Sequence, residues 1–196
     1  PQAAVDKVIF VGSHASPASL QSIAAWLLRV PVVVHEQNAV AGTTNRLLAR
    51  VASRILLGLP GPFPGHARAR FVGNPVRAAI ATIAAPRERL AGRSGALRLL
   101  VVGGSQGARV LNEVLPAALA RLQSAERPEV WHQCGARELA ACGERYRALG
   151  VAARTSAFID DMVAAYAWAE VVVCRAGALT VSELAAAGLP ALLVPL

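Results

Sequence analysis

The sequence has little of several things that mark specialised classes of protein. Aromatic residues make up 5% and charged residues 16% of its 196 positions, and it has three cysteines, Cys134, Cys142 and Cys174. So little charge beside 55% hydrophobic residues excludes intrinsic disorder. The three cysteines form no C-x-x-C pair. They therefore indicate reduced thiols in a cytosolic compartment and no disulfide framework.

Long apolar runs and an initiator methionine are also missing. No uninterrupted apolar run reaches the ~18 residues that a membrane-spanning helix needs, so none is predicted. The sequence opens at Pro1 and stops at Leu196, directly after a predicted strand. We therefore expect a fragment of a longer protein.

Lysine is almost absent. The net charge of +8 comes from 19 arginines and one lysine, Lys7, against 12 acidic residues. Such a balance is compatible with a polyanion or a membrane surface as partner. The arginine skew stands beside 41 alanines, which looks like a compositional bias, so the charge by itself identifies no partner.

What the sequence does have is an alternation of short β-branched runs with helix-length stretches, which is typical of βα units around a parallel sheet. We predict a first domain over residues 1–75, a linker over 76–95 and a second domain over 96–196. In the first domain the pattern predicts strands at 7–11, 31–34 and 54–57, helices at 19–28 and 43–53, and a Gly/Pro loop at 58–65.

The second domain has the cleaner alternation. It predicts strands at 97–102, 129–133, 152–157, 171–174 and 191–194, and helices at 108–123, 137–149, 161–169 and 179–187. This order is Rossmann-like, and such sheets bind ligands at the carboxyl ends of their strands. The residues that follow each strand are therefore the candidate site.

Two strand–helix junctions of the second domain are suited to phosphate. Gly103-Gly104-Ser105-Gln106-Gly107 follows one strand, and its glycines and the following helix N-terminus favour an anion, although the pattern is neither a Walker A loop nor G-x-G-x-x-G. The other junction carries Arg175 and, farther on, Glu183, an acid suited to a ribose diol or to the helix dipole. Together the two junctions favour a nucleoside diphosphate. A tight turn without a ligand is the alternative for the glycine-rich junction.

In the first domain, His35, Glu36, Gln37 and Asn38 follow an apolar strand. Four consecutive hydrogen-bonding side chains at a strand's carboxyl end favour a functional site, in which His35 and Glu36 do acid–base or orienting work. The alternative is a buried network that caps the next helix.

Metal binding and cysteine catalysis have little support. The four histidines share no helical or strand spacing, and His132-Gln133-Cys134 supplies at most two ligands where structural zinc takes four. No metal and no cofactor are therefore predicted.

Arginines recur every four residues on and after the helix predicted at 43–53. We expect Arg46, Arg50 and Arg54 to line one face of it and to give weak, salt-sensitive attachment to an anionic membrane surface. A solvated helix face is the alternative.

Four segments, in order, resemble one bacterial family closely. They are HEQNAVAGTTNRLLARVA at 35–52, GNPVR at 73–77, VVGGSQGARVLNEVLP at 101–116, and FIDDM at 158–162 followed by RAGALTVSELAAAGLPALLVPL at 175–196. The family is that of the UDP-N-acetylglucosamine-dependent transferases that form lipid II for peptidoglycan. The resemblance implies an α/β fold of GT-B type, with two Rossmann-like domains of parallel sheets, both incomplete in this chain.

The resemblance also implies an activity and its partners. The activity is inverting, metal-independent transfer of N-acetylglucosamine from its UDP donor to the acceptor lipid I. The resemblance implies a peripheral protein at the cytoplasmic face of the bacterial plasma membrane. It implies no nucleic-acid partner. A related GT-B glycolipid transferase and a non-catalytic nucleotide-sugar-binding fragment are the alternatives; a dehydrogenase is disfavoured because its glycine motif is absent.

The resemblance assigns site residues by motif. Ser105 meets the donor diphosphate, Glu183 the ribose hydroxyls, and Ile159 the uracil edge. Arg77 lies near the nucleotide, and Asn38 faces the transferred sugar. The remaining expected positions line the nucleotide and sugar or support activity: Arg175, Ala178, Leu179, Thr180, Val181, Ser182, His35, Glu36, Asn45 and Asn112.

The sequence departs from the family in three places. The family's first glycine-rich loop, with its candidate catalytic histidine, is absent, as is the family's sequence beyond Leu196. The stretch 12–17 reads GSHASP and lacks the aromatic residue that the family has there. We therefore expect part of the catalytic machinery to be missing from this chain.

Overall fold

Strands and helices alternate along the computed structural model, which describes residues 9–11, 22, 24–104 and 108–195. The chain divides into two compact units, Pro1–Pro75 and Val76–Leu196. Ser105, the start of the first predicted strand and the stretch 12–17 lie outside the described residues.

The first unit holds a four-stranded sheet with helical segments between its strands. Its elements include β1 Ile9–Val11, β2 Val32–Glu36, α1 Thr43–Leu48, β3 Arg54–Leu57 and β4 Ala69–Phe71. The strands are all parallel and lie in the order β1-β2-β3-β4. Buried residues from the strands and from α1, among them Val34, Leu48 and Ile55, contribute to its core.

The second unit holds a five-stranded parallel sheet with helices between its strands. The elements are α2 Ala78–Ala81, α3 Pro86–Arg89, β5 Arg98–Val102, α4 Arg109–Ala120, β6 Glu129–Gln133, α5 Leu139–Ala148, β7 Ala153–Ser156, α6 Met162–Trp168, β8 Val171–Arg175, α7 Ala178–Ala186 and β9 Ala191–Val194. The strands lie in the order β7-β6-β5-β8-β9. The order reverses between β5 and β8, which is the topological switch point of a doubly wound sheet.

The packing of the central strand β5 explains why its residues 99–102 are all apolar. Leu99 and Val101 pack into one core cluster, while Leu100 and Val102 pack into another on the opposite face of the sheet. A parallel strand covered on both faces needs apolar side chains at every position.

Residues 76–95 belong to this unit, since Ile80 of α2 is fully buried in the core cluster that contains Leu100 and Val102.

Two predicted boundaries in the first unit are wrong. Strand β2 continues through His35 and Glu36, which pair in register with Leu56 and Leu57 of β3. These two side chains therefore lie on the last residues of a strand and not in the loop after it.

Helix α1 ends at Leu48, five residues before the predicted end. The Arg68 guanidinium binds the carbonyls of Ala49 (3.1 Å) and Ala52, and the Ser53 N–H donates to Val32 on the neighbouring strand (2.8 Å). These contacts engage the backbone carbonyls and the N–H group that a longer helix would need for its own hydrogen bonds. Arg46 is therefore on the helix, Arg50 in the turn after it and Arg54 at the start of β3, so the three do not share a helix face.

None of the helices in the described part of the chain has the length and apolar character needed to span a bilayer.

Candidate functional site

The carboxyl ends of β5 and β8 lie side by side at the switch point of the second unit. Strand β5 runs into Gly103 and Gly104, and Gly104 has φ +80°, a conformation that side chains other than glycine rarely adopt. Strand β8 ends at Arg175 and leads through Gly177 into α7. Backbone N–H groups at the start of α7 have no acceptor within the helix, so this edge of the sheet is suited to an anion.

Helix α7 carries the predicted site residues Ala178, Leu179, Thr180, Val181, Ser182 and Glu183. Glu183 lies in the second turn of α7, one turn beyond the residues whose backbone N–H groups have no acceptor within the helix. Side chains of other residues bind its carboxylate, which argues against a role as a partner of the helix dipole. The Ser182 hydroxyl donates to the Ala178 carbonyl (2.8 Å), within the same helix.

Glu183 has two side-chain partners. Arg77 forms an ion pair with it, Nε to Oε1 at 3.0 Å and Nη2 to Oε2 at 3.4 Å. The Tyr166 hydroxyl donates to Oε2 at 3.1 Å. The Arg77 side chain is 54% exposed and that of Glu183 is 16% exposed, whereas Tyr166 is 1% exposed.

Tyr166 is a hydrogen-bond donor over the whole physiological pH range. Burial raises the pKa of its phenol well above the usual value, and the nearby Glu183 carboxylate raises it further. Its proton therefore stays on the oxygen and points at the carboxylate.

A cavity of about 290 Å³ brings several of the predicted residues together. Four predicted positions line it, although they come from three separate parts of the chain: Arg77, Ile159, and Thr180 with Glu183 on α7. Gly104 of the predicted phosphate junction also lines it, and residues without a predicted role complete the wall: Val102, Gln133, Phe158, Asp160, Met162 and Tyr166. Gln133 stands at the carboxyl end of β6 and could have been found by reading that strand end, whereas nothing local to Tyr166 distinguishes it from a core residue.

Asn112 and Arg175 are not among the residues that line this cavity. Asn112 is fully buried, and its amide donates to the Cys134 carbonyl just after β6 (2.9 Å). Asn112 can thereby hold the turn after Gln133 in place and so position Gln133 in the cavity wall.

The carboxyl end of β2 in the first unit holds a buried carboxylate. Glu36 is fully buried and accepts four hydrogen bonds: from the Asn38 backbone and side-chain amides (2.9 and 3.1 Å), the Gly42 N–H (3.1 Å) and the Asn45 side chain (2.9 Å). All four donors are uncharged. The network shapes the loop 37–42 and orients Asn38, which is itself exposed.

His35 faces a different side of the same strand end. Its Nε2 lies 3.2 Å from the Gly73 carbonyl, and it lines an open cavity of about 480 Å³ with Gln37, Val72, Gly73, Asn74 and Pro75. The Asn74 amide donates to the Gln37 carbonyl (3.1 Å), which ties the loop after β4 to the loop after β2.

Arg46, Arg50 and Arg54 are exposed. Among the residues that the structure describes, no group of three or more histidine, cysteine, aspartate or glutamate side chains is arranged to hold a metal ion.

The sequence matches two family descriptions. Residues 98–196 match the glycosyltransferase family 28 C-terminal domain, and residues 4–57 match the glycosyltransferase family 28 N-terminal domain.

Curated relatives carry one shared name. The chain is 58% identical over 173 residues to the UDP-N-acetylglucosamine–N-acetylmuramyl-(pentapeptide) pyrophosphoryl-undecaprenol N-acetylglucosamine transferase of Nitrosococcus oceani, covering 88% of this chain and 48% of that protein. It is 53% identical over 191 residues to the protein of the same name from Pectobacterium carotovorum, covering 97% and 51%. The chain thus spans about half the length of the curated relatives it matches.

Solved structures agree on the fold. MurG from Acinetobacter baumannii superposes with a TM-score of 0.78 at 38% identity, over 96% of this chain and 52% of that one. A UDP-GlcNAc 2-epimerase from Neisseria meningitidis, bound to UDP-GlcNAc, superposes with a TM-score of 0.62 over 95% and 58%, at 9% identity, and so shares the fold alone. The predicted α/β fold class of GT-B type is confirmed.

Proposed function

Since this chain belongs to glycosyltransferase family 28, we propose that its second unit binds UDP-N-acetylglucosamine, the donor for transfer of N-acetylglucosamine to lipid I with formation of lipid II. The single observation that carries the proposal is the cavity at the switch point, where Arg77, Ile159, Thr180 and Glu183 converge. The shared name of the curated relatives supports this donor and this acceptor.

In this proposal the parts of UDP are assigned to residues in the cavity and at the carboxyl ends of β5 and β8. The ribose hydroxyls donate to the Glu183 carboxylate, and the uracil edge lies against the backbone of Ile159. The diphosphate lies at the start of α7, near Ala178 and Leu179, with Arg77 as a nearby cation and Ser105 as a hydroxyl donor from the loop after β5. N–H groups already fixed at a helix N-terminus stabilise the negative charge that develops as UDP leaves.

The first unit supplies the acceptor side in this proposal. Inverting transfer needs the muramyl hydroxyl of lipid I to lose its proton as UDP departs. His35 and Glu36 are the candidates within this chain. Glu36 already accepts four hydrogen bonds, which favours an orienting role for it: it holds Asn38, which faces the transferred sugar, and Asn45 supports it. His35, in contrast to Glu36, lines an open cavity.

Isothermal titration calorimetry with UDP tests the donor site. Ser105→Ala is expected to weaken UDP binding roughly 10–150-fold, since a hydrogen bond to a charged group contributes ~1.5–3 kcal/mol. Glu183→Gln is expected to remove the preference for UDP over 2′-deoxy-UDP. Glu113→Gln is the matched control, since Glu113 pairs with Arg109 on the exposed side of α4 and does not line the cavity. Unchanged UDP affinity in both site variants would refute the assignment.

We also propose peripheral attachment to the cytoplasmic face of an anionic membrane through Arg46, Arg50 and Arg54. All three are exposed, and a basic residue near an anionic surface contributes about 1 kcal/mol. Replacing all three by alanine is expected to reduce flotation with phosphatidylglycerol vesicles at low salt. The control replaces Arg87, Arg121 and Arg137, which are also exposed, with the same change in net charge. Equal flotation of the two triple variants would contradict the proposal.

A further inference from the structure

Glu183 has one partner that a ligand can displace and one that it cannot. Arg77 is more than half exposed and stands at the N-cap of the four-residue helix α2. Tyr166 is buried in the middle of α6, within the core cluster that also contains Leu100, Val172 and Leu184. A nucleotide entering the cavity can therefore replace the guanidinium on Glu183, while the phenol stays in place.

The two oxygens of the Glu183 carboxylate also bind these partners unequally. Oε2 accepts from the Tyr166 hydroxyl and from Arg77 Nη2, while Oε1 accepts from Arg77 Nε. A carboxylate that receives one fixed hydrogen bond has its plane and its rotamer restricted. Once Arg77 moves away, Oε1 and the second lone pair of Oε2 are open toward the cavity, and a vicinal diol can donate to both.

We infer that Tyr166 is a positioning residue that sets the specificity for ribose: its hydroxyl holds Glu183 in the orientation that accepts the two ribose hydroxyls of the nucleotide. The inference rests on the proposed function and deepens it, because it names what makes this acid selective. Tyr166 acts through Glu183 and itself touches no substrate.

Helix α6 gives the arrangement a second link to the nucleotide. Asp161 caps the helix by accepting from the Ala164 N–H (2.9 Å), and the residues just before it, Phe158, Ile159 and Asp160, line the cavity. One rigid helix therefore begins beside the proposed uracil contact and carries, one turn later, the hydroxyl that orients the proposed ribose contact.

The test compares UDP with 2′,3′-dideoxy-UDP, which lacks both hydroxyls, by calorimetry on the whole chain. Tyr166→Phe keeps the buried ring and removes only the hydroxyl. The variant is expected to bind UDP about tenfold more weakly, a change of about 1.4 kcal/mol, and to bind the dideoxy nucleotide as the wild type does. A merely structural role would weaken binding of both nucleotides equally, and that result would overturn the inference.

Tyr146→Phe is the matched control. Tyr146 is 2% exposed, lies in the same unit, and loses a hydrogen bond of similar length (3.0 Å, to Nδ1 of His132) in the other core cluster. Both nucleotides are expected to bind this variant normally. Tyr166→Met serves as a second hydroxyl-free variant if the Phe variant does not fold, with the same expected pair of affinities.

The outcomes separate the inference from the proposed function. If Glu183→Gln abolishes the preference for UDP while Tyr166→Phe retains it, the inference is overturned and the donor site stands. If the wild type shows no preference for UDP over the dideoxy nucleotide, the ribose role of Glu183 and the inference both fall. If the wild type binds no UDP at all, the proposed function falls with them.

Discussion

The two units each place a glutamate at the carboxyl end of a parallel sheet, and the two carboxylates are held in opposite ways. Glu36 of the first unit is fully buried, and all four of its donors are uncharged amides from one loop and one helix. Glu183 of the second unit keeps some exposure and has an exposed arginine as its charged partner.

The difference separates a carboxylate that shapes a loop from one that can receive a ligand. Each donor on Glu36 belongs to the chain segment that the carboxylate organises, so these hydrogen bonds hold the segment itself in place. Arg77, in contrast, loses little on leaving Glu183, because its side chain is more than half exposed and water can solvate the released guanidinium. Ion pairs of surface side chains contribute about 1 kcal/mol or less. Burial and the charge of the partners therefore distinguish the two roles where residue type does not.

Matched Glu→Gln substitutions give the largest expected effect. In Glu36→Gln one acceptor oxygen becomes an NH₂ group that faces N–H donors, so the free energy of unfolding of the first unit is expected to fall by roughly 3–5 kcal/mol. Glu183→Gln is expected to lower that of the second unit by about 1 kcal/mol or less. Hydrogen–deuterium exchange of peptides containing Val32–Glu36 and Val171–Arg175 reports the two units separately.

An equal loss of protection at the two sites would contradict the comparison. It would mean that Glu183 is as much a part of its unit's framework as Glu36 is, and that a ligand could not readily displace Arg77.

How far the sequence predicts this arrangement depends on whether the determining contacts are local. Strands Glu129–Gln133 and Ala191–Val194 begin and end where predicted, since Pro128 and Pro190 directly precede them and prevent an earlier start. The early end of α1 was not predictable in this way, because Arg68, some twenty residues later, takes the carbonyls at its end.

The candidate site shows the same limit. The resemblance led to Arg77 and Glu183 separately, and the structure joins them across 106 positions in the sequence. Tyr166 has no local pattern that marks it, since an aromatic residue in an apolar helix normally indicates core packing. Only the structure reveals that its hydroxyl donates to Glu183.

Measuring stability against pH extends the comparison to a second buried group, His132, which has fewer hydrogen-bond partners than Glu36. His132 of β6 is fully buried, its Nδ1 lies 3.0 Å from the Tyr146 hydroxyl, and its Nε2 has no hydrogen-bond partner among the described residues. Burial lowers its pKa from 6.5 to about 4. Between these values only the unfolded chain takes up the proton, so the free energy of unfolding of the second unit is expected to fall by about 2–3 kcal/mol as pH drops from 6.5 to 4.

His132→Phe provides the check on this titration. The variant is less stable at neutral pH because Tyr146 loses its partner, and its unfolding free energy is expected to depend less on pH in this window. Urea unfolding of both proteins at several pH values measures the two slopes. Identical slopes would show that another group is responsible for the acid sensitivity.

The smallest expected effect concerns the loops that surround Glu36. A Cβ on Gly58, at the end of β3, would overlap the Asn74 side-chain amide, which donates to the Gln37 carbonyl. Gly58→Ala must displace this amide, and overpacking of this kind costs about 1–3 kcal/mol. Gly143→Ala is the control: its Cβ would meet only Thr155 Oγ1 at 3.5 Å, and alanine within α5 is expected to add up to ~1 kcal/mol of stability. If thermal unfolding shows that both variants change stability alike, the loops around Glu36 are not tightly coupled, and the contrast with the second unit would rest on Glu36 alone.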